Sequence, residues 1–241
     1  MESEPTLIFD ADDTLWHNMN LFVDTHERYA KLLDPYFPDA AALEEHLNET
    51  ERKNIEHFGY GVKGFTLSMI ETAVEVTRGQ VSGAAVKEMI QLGREMLDAP
   101  VELLPGVTET LQKLTQSHIL GVITKGDLLN QEAKVARSGL AEYFDFVEVV
   151  SEKNPSTYEK VLAQHDLIAE EIIMIGNSLK SDITPILELG GRAVHIPYPV
   201  TWIHEHAELP EALERSEKFK SLSDMGGLVA LLESWPKAVS Q

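Results

Sequence analysis

The chain has 241 residues, a formal net charge of −20, 43% hydrophobic residues and no cysteine. That length exceeds one average domain without demanding two independent ones, and the hydrophobic share suffices for a sizeable core. The acidity argues against nucleic acid and anionic membrane surfaces as partners, since their phosphates would be repelled, and the lack of cysteine excludes disulfides, thiolate metal sites and cysteine nucleophiles.

Met1–Pro5 is acidic and shows neither the basic start nor the apolar core of a signal peptide. No uninterrupted apolar stretch is long enough to span a bilayer. The expectation is a soluble cytoplasmic protein. Leu7-Ile8-Phe9, led by Thr6, reads as a short buried strand. Asp10, Asp12 and Asp13 follow at once, and unpaired carboxylates in a dry core would be very costly, so the strand ends at Asp10 and opens into a polar crevice. In an open α/β sheet that end is where ligands sit. Asp10 and Asp12 can share one cation, and hard oxygen ligands suit Mg²⁺; an Asx-type turn or a helix cap is the structural alternative.

The rhythm then becomes helical. Apolar residues spaced among charges predict helices over Asn20–Leu33, from a cap at Asp39 to about His57, over Phe65–Val76, and from Ser82 to about Leu97. Between the second and third lie Gly59, Gly61 and Gly64, where backbone can approach a ligand and Lys63 can meet an anionic group, or where two helices simply turn. Asp98–Pro105 is the return linker, stiffened by two prolines. Strands and helices alternate beyond it. The predicted helices are Gly106–Ser117, Asp127–Ser138 with Gly139 as its stop, Ser156–His165, Ser181–Leu189, and about Met225 to Ser234; the predicted strands are His118–Ile123, Phe146–Val150, Glu171–Ile175 and Arg192–Ile196. This alternation means βαβ units and a doubly wound parallel sheet, a Rossmann-like α/β core interrupted after its first strand by α-helices. The expected division is 1–17 and 99–241 for the core, with 18–98 inserted.

Each later strand delivers polar residues. Thr124-Lys125-Gly126-Asp127 follows the second, Lys153-Asn154-Pro155 the third, and Gly176-Asn177-Ser178-Leu179-Lys180-Ser181-Asp182 the fourth. A parallel sheet places all three on one rim beside Asp10. Backbone N–H groups at such turns bind anions, a lysine and a divalent cation can offset phosphoryl charge, and an aspartate held there can act as the nucleophile.

In order, Asp10-Ala11-Asp12-Asp13-Thr14, Thr124, Lys153-Asn154-Pro155 and the stretch from Gly176 to Asp182 resemble the four motifs of the haloacid dehalogenase superfamily. The resemblance covers roughly residues 5–17 and 100–235, and the intervening helices look like that family's cap. It implies that Asp10 attacks phosphorus and also ligates Mg²⁺. Asp12 would protonate the leaving oxygen and then activate water, its backbone carbonyl meeting the metal, while Thr124 and Lys153 hold the phosphoryl oxygens. Asn177 and Asp182 would complete the metal site directly or through water. Many family phosphatases carry Asp where this chain has Asn177, an exchange that removes one negative charge.

Asp12 favours phosphate esters over carbon–halogen chemistry, because an alkoxide needs a proton on leaving and halide does not; a placed acid contributes roughly 10²–10⁴-fold. The expected function is a Mg²⁺-dependent phosphohydrolase acting on a small phosphorylated metabolite, as monomer or homodimer. A phosphomutase, a dehalogenase and a non-catalytic binding protein of the same fold are the alternatives. Lys125, Gly126, Lys63, His17 and Asn18 are candidate substrate contacts, His17 without a chemical role. Pro197–Trp202, followed by His204 and His206, reads as a rim loop packing Trp202 rather than a metal pair.

Overall fold

The computed structural model describes residues 4–235. These divide into two compact units: residues 4–17, 101–125 and 131–235 form the first, and residues 18–100 with 126–130 the second.

The first unit is built on six parallel strands: β1 (Thr6–Phe9), β2 (Leu120–Lys125), β3 (Phe146–Val150), β4 (Ile172–Gly176), β5 (Arg192–His195) and β6 (Phe219–Ser221), in the order β3-β2-β1-β4-β5-β6. β1 lies in the middle, with Leu7 opposite Leu120 on one side and Ile173 on the other. Its apolar residues are buried on both faces, as helix-covered parallel sheets require. Leu7, Phe9, Val122 and Ile175 pack into one cluster, and Ile8, Ile123, Ile172 and Met174 into another. The chain order reverses about β1, so the crevice beyond its carboxyl end is the topological switch point.

The second unit holds four long helices: α1 (Met19–Leu33), α2 (Ala40–Phe58), α3 (Val62–Val76) and α4 (Gly83–Asp98). Asp39 Oδ1 accepts from Ala42 N–H at 3.0 Å and Ser82 Oγ from Ala85 N–H at 3.1 Å, so both helices start where a side chain satisfies an otherwise orphaned donor. Tyr29, Leu47, Phe65, Met69 and Met89 meet in their core.

The larger differences from the sequence reading have local causes, apart from the helix expected over Gly106–Ser117, which ends earlier, at Leu114. The third helix begins at Val62 rather than Phe65, because Gly61, at φ 107°, makes the turn into it. The second strand is shifted by two residues at both ends, starting at Leu120 and extending its ladder to Lys125 opposite Val150. The helix expected over Ser181–Leu189 is a π-helical turn, Leu179–Ile183, followed by a short α-helix, Thr184–Glu188; Pro185 has no N–H to extend the ladder between them. The edge strand β6 was not anticipated, its three residues being too short to show a period.

Candidate active site

The residues after β1 turn back sharply. Leu15 N–H donates to Ala11 O and Asp13 N–H to Trp16 O, both at 2.8 Å, and Asp13 takes the left-handed conformation at φ 62° that short polar side chains tolerate. This turn leaves Asp10 at the sheet's rim, its N–H bonded to Ile175 O on β4 at 2.9 Å.

Lys153 arrives from the loop after β3. Asn154 Oδ1 caps the next helix, Pro155–Gln164, by accepting from Thr157 N–H at 3.0 Å, and proline begins it, so the backbone beside Lys153 is fixed. Lys153 Nζ lies 2.5 Å from Asp10 Oδ1 and 2.7 Å from Asp182 Oδ1. Asp182 Oδ2 accepts from Ser178 N–H at 2.9 Å. Burial would push the Lys153 ammonium down, but Asp10 and Asp182 outweigh it and hold it charged. Burial pushes the Asp10 carboxyl up, Lys153 opposes this, and Asp182 and Asp12 add to the rise, leaving it at about 7. One ammonium does not compensate this set of buried carboxylates, and a cation on the other side of Asp10 would.

That other side is oxygen-rich. The terminal amide of Asn177 lies 3.2 Å from Thr14 Oγ1, Asp10 Oδ2 and the backbone oxygen of Asp12. With its nitrogen facing them, Asn177 donates to all three. With its oxygen facing them, Asn177 stands 3.2 Å from Asp10 Oδ2 and from the Asp12 carbonyl, close to the octahedral edge of about 3 Å at Mg–O distances of about 2.1 Å. The donors are hard oxygens and the excess charge is negative, so the set fits Mg²⁺. No group of three or more His, Cys, Asp or Glu side chains suited to a metal occurs among the described residues, so an amide and a main-chain carbonyl have to complete any such site.

The Asp12 side chain points elsewhere. Lys134 Nζ meets its two oxygens at 2.6 and 2.7 Å, Trp16 Nε1 donates to Oδ1 at 2.7 Å, and Gln131 Nε2 donates to Oδ2 at 3.2 Å. Gln131 Nε2 also donates to Thr124 Oγ1 at 2.6 Å, joining the end of β2 to Asp12.

Among the other candidates, Lys125 Nζ meets Glu205 at 2.5 Å, Ser181 Oγ at 3.2 Å and Glu152 at 3.4 Å, so its ammonium is engaged by the protein. His17 Nδ1 shares a 2.7 Å hydrogen bond with Tyr198 Oη. Lys63, Asn18 and Gly126 belong to the helical unit, where Lys63 pairs with Asp127 at 2.9 Å and Asn18 precedes α1. The structure thus joins Asp10, Asp12, Thr124, Lys153, Asn177 and Asp182 in one hydrogen-bonded constellation, which Lys125 reaches through Glu205 and Ser178. Sequence reasoning missed Gln131, Lys134 and Glu205. The first two sit one turn apart on the buried face of the helix Leu128–Ser138, where Val135 is also buried; polar residues on that stripe were the available signal. Nothing local distinguishes Glu205.

A family model for haloacid dehalogenase-like hydrolases matches residues 5–190. The chain belongs to that family. A haloacid dehalogenase-like family hydrolase from Xanthomonas campestris superposes with a TM-score of 0.85 at 37% identity, over 97% of this chain and 92% of that one. Among curated relatives, glyceraldehyde 3-phosphate phosphatase of Pyrococcus furiosus is 32% identical over 101 residues, 39% of this chain and 42% of its own length. The match therefore spans about two fifths of that relative. The enzyme of the same name from Methanocaldococcus jannaschii is 28% identical over 204 residues, 79% of this chain and 83% of its own. No helix among the described residues is long and apolar enough to cross a membrane.

Proposed function

We propose that this chain is a cytoplasmic Mg²⁺-dependent phosphohydrolase of small soluble phosphate esters, working through an aspartyl-phosphate. The observation that carries it is Asp10, with one oxygen on Lys153 and the other 3.2 Å from the Asn177 amide, which lies equally close to the Asp12 carbonyl. The Asp10 carboxylate attacks phosphorus, the bond to the leaving alcohol breaks, and Asp12 gives that oxygen its proton. Water then attacks the phosphoenzyme at phosphorus, Asp12 takes a proton from it, and the bond from Asp10 to phosphorus breaks to release inorganic phosphate. Lys153 and Thr124 hold the phosphoryl oxygens, and Asp182 orients Lys153. Asp10, the Asp12 carbonyl and Asn177 would hold Mg²⁺, with Asp182 linked directly or through water; when bound, the ion supplies charge stabilisation to the phosphoryl group. The helical unit is read as the family's cap, to which substrate selectivity is assigned. The phosphatase names of the relatives make glyceraldehyde 3-phosphate a first substrate to try.

The test is turnover of a panel of phosphorylated metabolites and of 4-nitrophenyl phosphate with Mg²⁺, in wild type and Asp10→Asn. Activity that disappears in the variant and under chelation is expected. Full activity in Asp10→Asn would remove the nucleophile.

A further inference from the structure

Asp12 sits in a socket of three nitrogen donors. Lys134 Nζ contacts both carboxylate oxygens, Trp16 Nε1 holds Oδ1 and Gln131 Nε2 holds Oδ2. All three donor residues are buried: Trp16 is 1% exposed, Gln131 2% and Lys134 9%. Lysine is almost never this buried without a partner of opposite charge, because its ammonium loses solvation. Here that partner is the carboxylate to which the proposed reaction assigns both proton transfers.

We propose that Lys134, braced by Gln131, is the positioning residue for Asp12 and sets how effectively that carboxylate serves the leaving group. The proposal rests on the phosphohydrolase reading. Gln131 and Lys134 lie one helical turn apart and so present to the same place. Gln131 spans Asp12 and Thr124 through one amide nitrogen, which locks the proton-handling group to the end of the strand that carries the phosphoryl-binding hydroxyl. A lysine with two contacts to one carboxylate restricts its rotation more than a single hydrogen bond does. Misplacement of a catalytic group by about 1 Å costs on the order of 10²-fold.

This role has a signature that a structural one lacks. Only leaving groups that need a proton depend on where Asp12 points. Phenyl phosphate releases a basic phenoxide; 2,4-dinitrophenyl phosphate releases an anion that leaves unaided. The readout is kcat/KM, which covers only the steps up to release of the phenol. We expect Lys134→Met to lose about 10²-fold on phenyl phosphate and less than about 3-fold on 2,4-dinitrophenyl phosphate. Lys134→Arg should restore most of the loss. In an Asp12→Asn background, Lys134→Met should cost less than about 3-fold further, since residues acting as a unit are not additive. Because each variant is judged on the ratio of two esters, a general loss of folded protein cancels. Equal losses on both esters, a gain in activity, or full additivity with Asp12→Asn would overturn the assignment while leaving the phosphohydrolase intact. A wild-type protein inert toward both esters would overturn both readings.

Discussion

Gly176 leaves the space that Asp182 fills: a β-carbon at position 176 would stand 2.3 Å from Asp182 Oδ2 and 2.5 Å from its carboxyl carbon. The last residue of β4 is thus shaped by a side chain six positions on, and that side chain in turn holds Lys153. Gly176→Ala should push the carboxylate away and loosen the lysine. Overpacking of this kind costs about 1–3 kcal/mol, and turnover should fall by at least about tenfold. Urea unfolding and phosphatase assays on the same preparation check both, and a variant with wild-type turnover would show that Asp182 need not stay where it is.

Removing a negative charge from the constellation should stabilise the metal-free protein. Asp10 titrates near 7 in the folded chain against 3.8 as its ordinary value, with burial as the main cause. Its folded value is raised, so its contribution to stability is fully present below 3.8 and is lost as pH rises through 7. Asp10→Asn is therefore expected to melt above wild type at pH 8 in EDTA, and the two should converge near pH 4. Mg²⁺ should then stabilise the wild type by about 2.7 kcal/mol at a hundredfold excess over Kd, raising its midpoint, and move the variant much less. Thermal unfolding with and without Mg²⁺ reads this directly, and equal shifts in both proteins would place the ion elsewhere.

How much of this was legible in the sequence follows from which forces are local. Thr6–Phe9 ending at Asp10 showed as a strand because burial on both faces leaves a continuous apolar run, and the polar stretches after the later strands fell on one rim because parallel strands share their direction. The parallel α/β core was readable for that reason. Side-chain partners were not. Lys125 looked available beside Thr124, yet Glu205, eighty residues on, takes up its ammonium, a pairing no spacing could announce. Lys134 and Gln131 were legible only as polar intrusions on a buried stripe, with Asp12 as their object supplied by the fold.

Glu205 is expected to hold the rim together. It accepts from Lys125, from Ser178 Oγ and from Ser181 Oγ, the last two at 2.6 Å, and those residues adjoin Thr124, Asn177 and Asp182 respectively. Burial would raise its carboxyl, but Lys125 and the two serines hold it below the usual glutamate value. A lowered value contributes stability that is present above the unfolded pKa and is lost as pH falls through the folded one. Glu205→Gln should therefore lose about 2–3 kcal/mol at pH 7 and show a shallower decline in stability below pH 4.5 than wild type. Chemical unfolding across pH 3–7 measures it, and parallel profiles for the two proteins would sink the prediction.

The opposite sign is expected in the helical unit. Glu51 on α2 is buried, its Oε2 has no hydrogen-bond partner among the described residues, and burial pushes its carboxyl up to about 7 from 4.5. The folded state therefore favours the protonated form. Stability from this group is fully present below 4.5 and is lost as pH rises through 7, so that at pH 8 the ionised side chain costs about 3 kcal/mol. Glu51→Gln keeps the shape without the charge. It should match wild type at pH 4.5 and exceed it by that amount at pH 8, whereas Glu51→Leu should gain as much only if the added methyl groups fit the space left by the carboxyl. Urea midpoints at the two pH values decide the matter: a glutamine variant no more stable than wild type at pH 8 would mean that the folded chain already accommodates the charge.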